Sequence, residues 1–78
     1  MNDYLKRMGA NALRVLNEAD FVWRYTYHAG VFIHLESGAV ISYAEARDTK
    51  DTWGLDALAA RIAARLVEAR AQRTLSLS

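Results

Sequence analysis

Histidine is the side chain whose ordinary titration falls near neutrality, and the chain has two, His28 and His34. Glu36 stands two residues beyond His34, so on an extended strand the two share a face. Arg24 reaches the same face from the preceding strand. His34 as a base with Glu36 or Arg24 beside it is thus the acid–base arrangement on offer. It lacks companions: there is no cysteine, no glycine-rich phosphate loop and no paired nucleophile. His28 and His34 also fall short as a metal set, because they have no third histidine or cysteine beside them and Glu36 is the only nearby acid. The expectation is a protein that is not an enzyme, with no catalytic residues, no metal and no cofactor.

Recognition is the other chemistry these residues can do. Arginine and aromatic side chains anchor protein interfaces, and the chain gathers them in two places. Arg24, Phe32, His34 and Glu36 fall on the solvent face of a strand pair. Arg47, Lys50 and Trp53 fall in a charged stretch and at the helix start that follows it. These seven residues are the expected partner-binding set. For Trp53, burial as a staple of the loop onto the core is the expected state.

Ten Lys and Arg against nine Asp and Glu leave a formal charge of +1 over 78 residues. So small a net charge supplies no chain-wide field for non-specific nucleic-acid binding. Basic residues also alternate with acids, as in Arg47-Asp48-Thr49-Lys50-Asp51. Lys6, Arg7 and Arg14, joined by Arg47 and Lys50, form the one group that could track phosphates. The absence of cysteine fits a reducing compartment, and no stretch approaches the roughly 18 apolar residues of a membrane span. The expectation is a cytoplasmic protein without membrane contact.

The elements that must position these groups are read from periodicity. Residues 3–19 carry Leu5, Met8, Ala12, Leu13, Leu16 and Ala19 on one face of a 3.6-residue period, predicting a helix. Gly9 lies inside that face, where it predicts close approach to a sheet. From Phe21 the period becomes two, predicting strands over 21–28, 31–36 and 39–46. His28-Ala29-Gly30 and Glu36-Ser37-Gly38 read as three-residue loops closed by glycine. That register gathers Phe21, Trp23, Tyr25, Tyr27, Val31, Ile33, Leu35, Ile41 and Tyr43 on one sheet face and leaves Phe32 and His34 on the other. Residues 44–51 read as a charged connection, and Thr52 as the N-cap of a helix over 53–73. The predicted fold is one α+β domain over 1–78, a two-layer αβββα arrangement with both helices on one face of a three-stranded antiparallel meander.

Ala57, Ala60, Ala63, Ala64, Val67 and Ala71 form a second face of the last helix, away from its leucine stripe. Small residues allow close helix approach, so this face is a candidate for a homodimer.

In element order, and in the stretch Ala60-Arg61-Ile62-Ala63-Ala64-Arg65-Leu66, the chain resembles the double-stranded-RNA-binding domain. The resemblance implies that topology over nearly the whole chain. The family grips phosphates with lysines at the start of its second helix, whereas this chain has Lys50 flanked by Asp51 and Asp56. The family's first loop reaches the minor groove, and here it is only His28-Ala29-Gly30. The resemblance therefore implies a shared fold more than a shared ligand. In size and in lacking any catalytic signature the chain is similar to the small inhibitor proteins of phages, such as anti-CRISPR proteins. That likeness implies steric docking on a protein partner such as a nuclease complex, with RNA or DNA binding as the alternative.

Overall fold

The computed structural model describes residues 3–27 and 29–77. The predicted α+β class is the one observed: a three-stranded antiparallel sheet in the order β1-β2-β3, with helices before and after it. The elements are α1 Asp3–Met8, α2 Ala10–Glu18, β1 Phe21–Thr26, β2 Ala29–His34, β3 Ala39–Ser42, α3 Tyr43–Trp53 and α4 Leu55–Leu77. Met8, Ala12 and Leu16 from the first two helices, Ala46 from α3, and Leu58 and Ile62 from α4 meet Phe21, Phe32 and Ile41 in one core. All the helices therefore pack on the same side of the sheet.

Several boundaries differ from the sequence expectation: β2 runs over Ala29–His34 instead of 31–36 and the last helix over Leu55–Leu77 instead of 53–73, and the others have local reasons. The helix expected over 3–19 breaks at Gly9, whose φ of 93° lies where only glycine sits without strain. The Met8 carbonyl at the break accepts a hydrogen bond of 2.7 Å from Lys50 Nζ. The third strand ends at Ser42 instead of residue 46, because Ser42 caps a helix: its Oγ accepts from the Glu45 amide at 3.1 Å. The expected charged connection is thus α3, whose Ala46 and Thr49 are buried. Thr52 caps nothing; Gly54, with a φ of 95°, ends α3, and α4 follows at once. The first strand stops at Thr26, and His28 lies outside the described residues.

The register is the largest correction. Trp23 pairs with Phe32 and Thr26 with Ala29, so β1 and β2 are joined by two residues instead of three. Phe32 pairs with Ile41 and His34 with Ala39, so β2 and β3 are joined by four. Both shifts are by an odd number of residues, which turns β2 over. Phe32 and His34 face the helices, and Val31 and Ile33 face away from them. What decides this is the Trp23 indole. It lies over Gly30, where a built Cβ would stand 2.2 Å from Cη2. From there it packs at ring-centroid distances of 5.1 Å on Phe32, 5.8 Å on Tyr43 and 5.8 Å on Tyr4. Gly30 thus serves close approach across the strand pair and not a bulge. The Tyr43 hydroxyl is buried in this cluster and has no hydrogen-bond partner among the described residues.

Gly30→Ala is expected to displace the indole and to cost about 1–3 kcal/mol, the range for overfilling a packed site. Urea unfolding followed by near-ultraviolet circular dichroism would show both the loss of stability and the loss of the aromatic signal.

Candidate functional site

The seven residues expected to bind a partner do not form one surface. Phe32 is 2% exposed, at the centre of the core, so it is not on the open sheet face. His34 is half-buried on the helix side, its ring 5.6 Å from that of Phe21. Its Nδ1 accepts from the Ser37 amide at 3.2 Å and lies 2.7 Å from Ser37 Oγ, which in turn accepts from the Ala39 amide. A serine beside a histidine is a nucleophile–base pairing in form. Here both side chains are engaged in closing the β2–β3 turn, with Gly38 donating to the His34 carbonyl at 2.8 Å. Glu36 is exposed on that turn.

Lys50 is committed to structure. Besides the Met8 carbonyl it pairs with Asp51 at 3.1 Å, while Arg47 pairs with the same carboxylate at 3.5 Å. A cation at the end of α1 also complements the negative pole of that helix. Trp53, expected to be buried, is 72% exposed at the end of α3. It is held there because Gly54 turns the chain away before the indole can reach the core.

A polar centre that the sequence reading missed joins α3, α4 and β3. Glu45 Oε2 accepts from Arg61 Nη1 at 3.0 Å and from Arg65 Nη2 at 2.5 Å, and Arg65 Nη1 donates to the Val40 carbonyl at 3.0 Å. Partial burial pushes the Glu45 carboxyl up, but the hydrogen bonds and charges of Arg61 and Arg65 outweigh it and hold the group below its ordinary value. The signal was legible: Ser42-Tyr43-Ala44-Glu45 has the spacing of a helix capping box.

Two surfaces remain open. The first is the solvent face of the sheet, where Val22, Ile33 and Val40 form a cross-strand row and Arg24, Val31 and Ser42 the next. No helix covers it. The second is a groove of about 620 Å³ between α2 and β1, lined by Leu5, Leu13, Trp23 and Phe32, with Arg14 and Arg24 on its walls. Cations divide into two groups. Arg47, Lys50, Arg61 and Arg65 are all paired with carboxylates, whereas Lys6, Arg7, Arg14, Arg24, Arg70 and Arg73 have no ion pair among the described residues. No group of three or more metal-ligating side chains occurs among the described residues. No described helix is long and apolar enough to cross a membrane.

Comparison of the chain with protein-family models, with curated proteins and with solved structures gave no match.

The Glu45 centre makes a signed prediction. A carboxyl held below its ordinary value, here 4.5, stabilises the fold above that pH and ceases to do so as pH falls through its lowered folded-state value. Glu45→Gln should therefore lower stability at neutral pH by about 1 kcal/mol and flatten the acid limb of the curve of Tm against pH. Calorimetry between neutral and acid pH would register both changes.

Proposed function

We propose that the chain is a non-catalytic protein-binding module that acts by occupying a partner's surface with the open face of its sheet. The row Val22–Ile33–Val40 carries this reading. β-Branched aliphatic side chains in register across all three strands are an unusual choice for a face left to water. Arg24 beside the row and Leu35 at 64% exposure past the end of β2 supply a charged anchor and further apolar area. The most concrete form of the proposal is an inhibitor from a phage or mobile element that blocks a host defence nuclease complex, in the manner of anti-CRISPR proteins. Trp53 is a second candidate anchor, and the exposed alanines of α4 are the candidate homodimer face.

A second reading, a nucleic-acid-binding module, draws on Lys6, Arg7, Arg14 and Arg24, four of the cations with no ion pair among the described residues. It requires affinity that falls steeply with salt.

The test is a pull-down from host lysate with the tagged protein, with and without nuclease, repeated with Ile33→Glu and Val40→Glu. Docking through the sheet face predicts a stoichiometric protein partner that survives nuclease and is lost with either substitution. Recovery of nucleic acid alone, reduced by charge reversal at Lys6, Arg7 and Arg14, would replace this reading by the second. Phe32→Ala is unsuited to the purpose, because emptying that buried site costs about 3–5 kcal/mol and unfolds the reporter.

A further inference from the structure

The two edges of the sheet are treated differently. At β3 the strand is only four residues long, α4 packs against it, and Arg65 occupies the Val40 carbonyl. At β1 the edge is six residues long and carries no proline. A two-residue connection flanked by the Thr26–Ala29 pair makes that pair a closely bonded one, and the pattern then alternates along the ladder. Val22, Arg24 and Thr26 turn their backbone groups toward β2, while Phe21, Trp23 and Tyr25 turn theirs outward. Two side-chain contacts agree with this alternation. The Trp23 carbonyl is free to accept from Arg24 Nη1 at 3.1 Å, and on the opposite edge the Val40 carbonyl is free to accept from Arg65. Apart from that Arg24 contact, the outward groups of Trp23 and Tyr25 have no hydrogen-bond partner among the described residues.

Such an edge is a template for another strand, and natural sheets ordinarily block it. Here it borders the groove beside α2, with an apolar floor from Leu5, Leu13, Trp23 and Phe32. Arg14 on the helix wall and Arg24 on the strand wall face the groove with no ion pair among the described residues. We infer that this groove takes an extended, acidic segment of another protein as a fourth strand, bonded to the backbone of Trp23 and Tyr25 and paired through its carboxylates with Arg14 and Arg24. Main-chain bonds supply affinity in such an addition, and alternate side chains supply selectivity. Apolar residues of the segment would rest on the groove floor.

Charge and backbone geometry together select this occupant over two others. A second copy pairing β1 with β1 would bring the Arg14 and Arg24 of both copies together, and β1 holds no acid to offset them. A nucleic-acid strand has no ladder of amides and carbonyls to match the outward backbone groups of Trp23 and Tyr25. The inference uses the sheet edge and the proposed function the sheet face; Arg24 borders both, and Ile33, which lies on the face alone, lets the two fail separately.

The experiment selects displayed random peptides about ten residues long, enough to lie along β1, on the immobilised full chain. Enriched peptides should alternate acidic with β-branched residues. In nuclear magnetic resonance spectra the best of them should shift the Trp23 and Tyr25 amides more than those of Val22 and Arg24. Arg14→Glu with Arg24→Glu should weaken it by about tenfold or more. Tyr25→Pro, which removes the outward amide together with the ring that packs on Tyr4, should do the same while keeping the far-ultraviolet circular-dichroism spectrum, whereas Tyr25→Ala, which removes the ring alone, should bind the peptide. Ile33→Glu should leave it unchanged. The inference is overturned by enrichment of basic peptides or by no enrichment. It is also overturned by shifts confined to other surfaces, or by self-association that Tyr25→Pro abolishes. Tighter, salt-sensitive binding of an oligothymidylate of similar length would overturn it in favour of nucleic acid.

Discussion

The Trp23 indole needs a neighbour across the strand pair with no side chain, and Gly30 is that neighbour. Once the ring lies there, Trp23 must stand opposite Phe32, and every other pairing in the hairpin follows. Phe21, Trp23, Phe32 and Ile41 then face the helices together, and the helices have one surface to cover. The cost falls on the other side of the sheet. Val22, Val31, Ile33 and Val40 are turned to solvent because the aromatic residues have taken the interior. The surface that best supports a docking role is thus a by-product of where the largest side chains had to go.

Polar staples complete what apolar packing begins. Gly9 and Gly54 each interrupt a helix, and two cations tie distant parts of the chain together. Lys50 reaches the Met8 carbonyl, 42 residues away, and Arg65 reaches both Glu45 and Val40. Charged side chains held in this way are withdrawn from recognition. Of the cations without an ion pair among the described residues, Arg14 and Arg24 line the groove between α2 and β1, while Arg70 and Arg73 stand apart on α4.

Fold class was legible because it rests on period: the 3.6-residue stripe of Met8, Ala12 and Leu16, the two-residue alternation from Phe21, and the stripe of Leu58 and Ile62 survive any small error of boundary. Register was not legible, because it depends on which of two apolar sets is buried. Val31, Ile33 and Leu35 compete with Phe32 and His34, and only the three-dimensional fit of Trp23 over Gly30 separates them. The site suffered accordingly. Phe32 and His34 changed faces with their strand, while Arg24, on the strand that kept its orientation, stayed where it was expected. The third helix was missed for another reason. Its sequence is rich in charge and poor in large apolar residues, and Ala46 and Thr49 suffice for its buried side only because it is short and closely packed. Its start was written in Ser42 and Glu45 nonetheless.

The Tyr43 hydroxyl carries a different kind of meaning. A phenol oxygen removed from water without a replacement partner forgoes about 1–3 kcal/mol of solvation, and its ring would fill the same space without it. A domain of this size has a margin of only a few such units. Among the described residues nothing compensates this polar atom in the aromatic cluster. The chain's stability lies below what the same backbone could support, leaving room for improvement that touches neither the open face nor the free edge.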